Sequence, residues 1–268
     1  MASAFREDLL ESYTDSELAH YIVSSPSCES SSRVFNLSPN LIAKQYESSE
    51  VQDAFKATEV ARQLGIRGPS IQKVIKNQEN AYAIMGRIQG ATLDAIWKKL
   101  GWATTIRLGL QLRCFINILR SVTSPTAGSL ATGECRSFWL EDRYGLPANS
   151  GPAETAHFVQ FWANFTSMRR AMQAAKQGQT PNSTAGLALS LIIEPFVLTH
   201  HDLAPRNLLV SPCGQLSLLD WDLAGFYPAS FEYRFAVGRR YELLENIGPS
   251  RYPVSRLHRQ SRASLITT

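Results

Sequence analysis

The most informative part of the sequence is Thr199-His-His-Asp-Leu-Ala-Pro-Arg-Asn-Leu-Leu-Val210, followed by Leu218-Leu-Asp-Trp-Asp-Leu-Ala224. Asp202 and Asn207 stand at the entry to one apolar run, and Asp220 stands at the end of the next. The short stretch between the runs contains the proline and glycine of a turn. Two short strands joined by this turn would bring the three polar side chains into one cleft.

Two carboxylates and an amide are the groups that phosphoryl transfer needs. One orients the nucleophile, and the others offer oxygen ligands to magnesium. A simpler interpretation is that Asp202 only stabilises a turn, because aspartate readily bonds its own backbone. However, the spacing H-x-D-x-x-x-x-N followed by D, beside two apolar runs, is shared by the wider kinase superfamily. The functional interpretation is therefore favoured.

Length and composition place the chain among ordinary globular proteins. Its 268 residues are enough for one large domain or two moderate ones, with 44% hydrophobic and 19% charged residues. The net charge of +4 suits an anionic ligand such as a nucleotide. It is too small and too scattered to indicate nucleic-acid binding.

The cysteines and the N-terminus argue for the reducing environment of the cytoplasm. Cys28, Cys114, Cys135 and Cys213 have neither metal-like spacing nor close pairing, so we expect no disulfide framework. Cys114 lies in an apolar helical pattern and is expected to be a buried, reduced residue. We find no signal peptide and no apolar run near the ~20 residues of a membrane span. We therefore expect a cytoplasmic protein without membrane contact.

The first third of the chain predicts a small α+β lobe. Residues 1–33 are polar and serine-rich, with a helical candidate at 5–21. Strands are predicted at 34–37, 41–44, 69–75 and 81–88, with a helix at 50–64. We assign residues 34–88 to a nucleotide-binding N-terminal lobe.

Residues 89–248 are expected to form a larger, mainly helical C-terminal lobe. A short helix is predicted at 94–97 and long ones at 106–122 and 154–172, separated by an irregular segment at 123–153. The helix at 106–122 offers several side chains for burial: Leu110, Phe115, Ile118, Leu119 and Val122. Residues 249–268 form a basic, serine-rich tail that we expect to be disordered. The cleft between the lobes is the expected ligand site.

The hairpin closely resembles that of the aminoglycoside phosphotransferase (phosphotransferase enzyme) family, in particular its fungal members, which are related to choline kinases. Further agreement lies at Lys44, at the connector Tyr82-Ala-Ile-Met-Gly-Arg-Ile-Gln-Gly90, at Gly128-Ser-Leu-Ala-Thr-Gly-Glu-Cys-Arg136 and at Phe231-Glu-Tyr233. The resemblance covers residues 34–235. It implies a bilobal, protein-kinase-like fold and ATP-dependent phosphorylation of a hydroxyl or amine on a small molecule.

The resemblance also implies roles for the hairpin residues. Asp202 is similar to the catalytic base, and His200 to the residue that supports the catalytic loop. Asn207 and Asp220 resemble the Mg²⁺ ligands. Asp222 is a further candidate for a second metal ion.

In the N-terminal lobe, Lys44 resembles the lysine that holds the α- and β-phosphates. Its acidic partner is expected to be Asp53, with Glu50 and Glu59 as alternatives. Backbone groups of Gly86 and Ile88 are expected to face adenine. The serine-rich segment around Ser32, residues 30–33, is expected to cover the phosphates.

Two departures leave a second function open. His201 stands where the family commonly has glycine, and relatives often continue with further helices that wall the substrate pocket. The alternative is a catalytically silent kinase-fold binding protein. A protein kinase is disfavoured, because Asp-Trp-Asp replaces Asp-Phe-Gly and no Ala-Pro-Glu segment follows.

We expect a monomer or weak dimer. The acidic side chains near the long insert (Glu134, Glu141, Asp142 and Glu154) are expected to be surface residues, so the acceptor is not identified.

Overall fold

The computed structural model describes residues 5–28, 31–77, 80–136, 146–158, 195–229 and 232. Its N-terminal lobe is built on a five-stranded antiparallel sheet in the order β1-β2-β3-β5-β4. The strands are β1 (Ser27–Cys28), β2 (Ser31–Asn36), β3 (Leu41–Glu47), β4 (Ile71–Asn77) and β5 (Asn80–Gly86). Each strand predicted from the sequence is present, with its ends shifted by a few residues.

Two helices cover the sheet, α1 (Asp15–Ser24) and α2 (Val51–Gln63). Successive side chains of a strand point to opposite faces, and β5 follows this rule. Tyr82 and Ile84 pack in the same cluster as residues of α1, whereas Ala81, Ala83 and Met85 pack with residues of α2. Both faces of β5 are therefore buried.

The N-terminal segment is part of this lobe, which corrects the boundary predicted at residue 33. Thr14 and Glu17 form a reciprocal capping box that starts α1. Leu18 and Ile22 of this helix are fully buried. The predicted boundary also falls inside β2, because that strand begins at Ser31. The helix predicted at 5–21 is present as Asp15–Ser24, but the polar, serine-rich composition around it predicts a place outside the lobe.

The C-terminal lobe contains helices and two small antiparallel sheets. The helices are α3 (Leu93–Ile96) and α4 (Trp102–Arg120). One sheet has the order β11-β10-β6 and the other β7-β9-β12-β8. Their strands are β6 (Ala91–Thr92), β7 (Thr123–Ser124), β8 (Gly128–Ser129), β9 (Phe196–Thr199), β10 (Leu208–Val210), β11 (Leu216–Leu218) and β12 (Gly225–Tyr227). The predicted α+β class is confirmed.

The predicted hairpin is formed by β10 and β11, with Leu208 opposite Leu218 and Val210 opposite Leu216. The segment that contains the hairpin is closed at its base, because Thr199 at the end of β9 pairs with Gly225 at the start of β12. Chain entering at His200 and chain leaving after Asp222 therefore meet at the same place. This pairing brings the polar residues on both sides of the hairpin together.

Helix α4 buries Phe115 and Leu119 as predicted, and the predicted Ile118 and Val122 pack partly buried against the same core. Leu108, Phe115 and Leu119 are buried, whereas Leu110, which we expected to be available for burial, is 61% exposed. Cys114, expected in the core, is also exposed. An apolar pattern over 17 residues fits more than one face of a helix, and tertiary contacts select between them.

Some predictions fall outside the described residues. Residues 152–158 are helical, but the rest of the helix predicted at 154–172 and the tail at 249–268 are not described. All four cysteines are free thiols. Within the described ranges, we find no helix with both the length and the apolar character that crossing a membrane requires.

Candidate active site

His200 links the two chain segments of the site. Its Nε2 lies 2.9 Å from the carbonyl oxygen of Leu219, and its Nδ1 accepts a hydrogen bond of 3.3 Å from the Asp202 backbone N–H. These bonds fit a neutral imidazole with its proton on Nε2. Burial lowers the pKa of His200 to about 4, so the ring stays neutral near pH 7. Its two bonds join the segments around Asp202 and Leu219, and its supporting role in catalysis stays a prediction.

Asp202 is buried, with one carboxylate oxygen paired and the other free. Arg206, four positions on, donates a hydrogen bond from Nη2 to Oδ2. Within the described residues, Oδ1 has no hydrogen-bond partner. Burial raises the pKa of Asp202, and the nearby Asp220 charge adds to this, although Arg206 opposes both. One acceptor atom of a strengthened base is thus available.

Asn207 ends a short 3₁₀ turn, Pro205–Asn207, that returns the chain towards β10. Its side-chain nitrogen donates to the Asp202 carbonyl oxygen at 3.0 Å. Its backbone carbonyl oxygen accepts a hydrogen bond of 2.8 Å from the Leu219 N–H. These bonds fix the residue between the two segments. The amide oxygen is the atom that a cation would bind.

Lys44 of β3 reaches across to the two acids beyond the hairpin. Its Nζ lies 2.6 Å from Asp220 Oδ1 and 2.7 Å from Asp222 Oδ2. Burial alone would lower the pKa of Lys44, but the two carboxylates raise it. In Asp220, the effect of Lys44 overcomes burial and lowers the pKa. In Asp222, burial raises the pKa to about 6.

The donor set suits a magnesium ion that completes its shell with phosphate and water oxygens. Oδ1 of Asp222 is buried without a hydrogen-bond partner among the described residues. Those residues contain no group of three or more His, Cys, Asp or Glu side chains arranged for a metal. Asp220, Asp222 and the Asn207 amide would therefore be an incomplete cage. Mg²⁺ is commonly held by one or two carboxylates together with substrate phosphates.

The expected pair between Asp53 and Lys44 is not formed. Asp53 instead accepts hydrogen bonds from the backbone N–H groups of Ala131 (2.8 Å) and Thr132 (2.9 Å), and from the Thr132 hydroxyl (2.7 Å). The two alternatives also have other neighbours. Glu59 pairs with Arg62 at 2.8 Å, and Glu50 lies 4.0 Å from Arg136. The short Asp53 side chain bonds the 131–132 segment, which lies directly against it.

The remaining predicted residues lie on β2, at the end of β5 and in the connector that follows β5. Ser32 is an exposed residue of β2, two positions before Val34, whose Cα pairs with that of Lys44. Gly86 ends β5 and donates its N–H to the Ser70 carbonyl oxygen at 3.3 Å. Ile88 follows in the half-buried connector. Their contacts with a nucleotide stay predictions.

His201 and Glu232 form a buried contact that the sequence did not predict. His201 has φ +69°, in the left-handed region that favours glycine. Its N–H donates to both carboxylate oxygens of Glu232, each at 3.2 Å. Its ring packs at a tilt against the Tyr227 ring, with the ring centroids 4.7 Å apart. The family's usual glycine at this position was the signal for this backbone conformation. The side chain points into the core.

The chain matches a known protein-family model over most of its length. The model of the phosphotransferase enzyme family, APH, matches residues 27–242. No curated protein matches the sequence significantly.

Among solved structures, the chain is similar to an aminoglycoside phosphotransferase, APH(3'')-Id, from Streptomyces rimosus, in complex with ADP and streptomycin. The identity is 12% and the TM-score 0.49, over 88% of this chain and 85% of that one. It is also similar to the choline kinase LicA from Streptococcus pneumoniae, with 16% identity and a TM-score of 0.41, over 88% and 81% of the two chains. These are distant likenesses.

Proposed function

Because the chain belongs to the phosphotransferase enzyme family, we propose that it moves the γ-phosphate of ATP, with Mg²⁺, to a hydroxyl or amine of a small molecule. One observation carries the proposal. Asp202 keeps a buried carboxylate oxygen without a hydrogen-bond partner among the described residues. It lies near enough to Asp220 for that charge to raise its pKa, and Asp220 and Asp222 pair with Lys44. A proton acceptor, a cation for phosphate and metal-binding oxygens are thus together.

Asp202 is the proposed base. Its Oδ1 accepts the acceptor's proton while the acceptor oxygen or nitrogen forms a bond to the γ-phosphorus. The bond from that phosphorus to the β,γ-bridging oxygen breaks, and ADP leaves. Arg206 bonds Oδ2, which fixes the carboxylate plane. Because the transition state of phosphoryl transfer is loose, orientation of the acceptor contributes more than basicity.

Lys44 is the proposed phosphate ligand. Its ammonium group lies between Asp220 and Asp222 and would exchange part of this pairing for phosphate oxygens. Mg²⁺ held by Asn207, Asp220 and Asp222 would neutralise the charge on the phosphates. Gly86 and Ile88 would contact adenine through their backbone, and Ser32 would lie over the phosphates.

A silent binding protein is the second candidate, and one observation favours it. Lys44 has no acidic partner on α2, since Asp53 bonds the 131–132 segment. In this alternative the nucleotide binds without transfer. The two functions differ in whether Asp202 affects a rate.

The test is hydrolysis of Mg·ATP by the purified chain, compared with Asp202→Ala and with the surface control Asp8→Ala. We expect a measurable rate that falls at least about a hundredfold in Asp202→Ala and is unchanged in Asp8→Ala. Equal rates in all three proteins would reject the enzyme. A rise in melting temperature with Mg·ATP would then identify the silent binding protein.

A further inference from the structure

Asp53 of α2 is a buried acid that lies outside the proposed reaction centre. Its side chain is 1% exposed, and it accepts three hydrogen bonds from Ala131 and Thr132. Arg136 Nη1 lies 3.7 Å from its Oδ2. Burial alone would raise the pKa of Asp53, but these hydrogen bonds lower it. It is a charged, well-satisfied group, which we call the Asp53 contact together with Ala131 and Thr132.

On one side, the Asp53 contact is joined firmly to Lys44. Val51 and Ala54 of α2 are buried against Ala83 and Met85 of β5. The Cα of Ala83 pairs with that of Lys44 across β5 and β3. A displacement of Asp53 relative to the C-terminal lobe therefore displaces Lys44 as well.

On the other side, the contact is joined to the catalytic loop through a sheet. Residues 131–132 follow β8 after one residue, Leu130, and β8 pairs with β12 through Ser129 and Gly225. Gly225 also pairs with Thr199 of β9, the residue before His200. The far end of the segment is held as well, because the Tyr227 hydroxyl donates to the Arg136 carbonyl oxygen at 2.7 Å.

Resting on the proposed function, we propose that Asp53 is a positioning residue that sets the relation between the lobes, and so between Lys44 and Asp202. In this role it replaces an acid that would bind Lys44 directly. Lys44 has only C-terminal-lobe acids as ion-pair partners among the described residues. Its place over the phosphates is then fixed through α2 and the 131–132 segment. A buried carboxylate held by three donors is costly to remove, since its loss leaves those donors unsatisfied.

The experiment uses the full chain with Asp53→Ala, the isosteric Asp53→Asn and Thr132→Val, which removes one of the three donors. Glu59→Gln is the matched control, because it removes a carboxylate from the same helix on the surface. Hydrogen exchange is measured over residues 129–136 without nucleotide. Hydrolysis of Mg·ATP is measured well below the melting temperature of each protein.

We expect amide exchange at 131–132 to rise at least about tenfold in Asp53→Ala. In the same variant kcat should fall about tenfold while KM for ATP changes less than about threefold, because Lys44 itself is intact. Asp53→Asn and Thr132→Val should show smaller losses in the same direction, and Glu59→Gln none. A merely structural role would lower the melting temperature and leave kcat unchanged, which would overturn the proposal.

A rise in KM with constant kcat would also overturn it, because that result would place Asp53 with the nucleotide. Failure of the proposed function is distinguishable. Absence of hydrolysis in the wild type would reject the enzyme. The exchange measurement would still decide the contact, which is rejected if residues 131–132 exchange equally in Asp53→Ala and the wild type.

Discussion

Lys44 Nζ lies 2.6 Å from Oδ1 of Asp220, although 176 positions separate the two residues in the chain. The bond joins the central strands of the N-terminal sheet to the segment beyond the catalytic hairpin. It also places a cation between two acids whose negative charge a metal ion would otherwise need to neutralise. Nucleotide binding therefore has to rearrange an existing ion pair rather than fill a neutral cleft.

Lys44→Met is expected to reduce kcat/KM for Mg·ATP by about a hundredfold or more. The substitution keeps the length of the side chain but removes the charge that would bind the phosphates. It also leaves the partly buried Asp220 and Asp222 without their counter-ion, so the melting temperature should fall. Both effects are measured by steady-state hydrolysis and thermal unfolding.

Lys73→Met is the matched control for that experiment. Lys73 lies on β4 of the same sheet, where its Nζ donates to the carbonyl oxygens of Leu10 and Tyr13. It should lower stability with little change in kcat/KM. Equal kinetic losses in both variants would mean that Lys44 acts only through the fold.

Asp222→Asn is expected to raise the Mg²⁺ concentration at half-maximal hydrolysis by about tenfold. An amide offers one neutral oxygen in place of a charged carboxylate, and Mg²⁺ prefers hard anionic oxygen. The measurement is a magnesium titration at saturating ATP, with Asp8→Asn as the surface control. An unchanged midpoint would remove Asp222 from the proposed metal site.

Much of this site follows from local sequence signals, but its pairings do not. The hairpin was predictable because two apolar runs flank a turn, and the pairing of Thr199 with Gly225 then brings the segments on its two sides together. The hydrogen-bond donors to Asp53, Ala131 and Thr132, were not predictable in this way. Residues 131–132 reach α2 through the pairing of Ser129 with Gly225, and no local pattern encodes a contact between segments so far apart. Burial of the His201 ring against Tyr227 was likewise set by tertiary packing.

His201→Asn is expected to remove one contribution that destabilises the folded protein as the pH falls from about 7 to 5. Burial lowers the pKa of His201 to about 4, whereas an unfolded histidine titrates near 6.5. As the pH falls through 6.5, the unfolded chain takes up a proton at this position that the folded chain does not, so His201 itself contributes a loss of stability that the variant lacks. The loss at pH 5 is on the order of 2 kcal/mol.

Asparagine suits the comparison because it tolerates the left-handed conformation at φ +69° and does not titrate. Other groups that titrate in this window, such as Glu232 with its pKa raised to about 7 by burial, are present in both proteins. The difference between their melting temperatures across the pH range therefore isolates His201. Parallel curves would show that His201 binds its proton equally well when folded.

Gly90→Ala is expected to lower the melting temperature by about 5 °C, in contrast to Gly109→Ala. A Cβ at position 90 would lie 2.4 Å from the Val210 carbonyl oxygen, so the connector would have to move away from β10. Such overpacking costs about 1–3 kcal/mol. A Cβ at position 109, on the exposed face of α4, meets no atom within 4 Å, and alanine there should stabilise the helix by about 1 kcal/mol.

Because Ala91, next to Gly90, pairs with Val210 of the catalytic hairpin, Gly90→Ala should also slow hydrolysis of Mg·ATP. Thermal unfolding and hydrolysis of the two variants measure both effects, and equal behaviour would show that the connector tolerates a side chain.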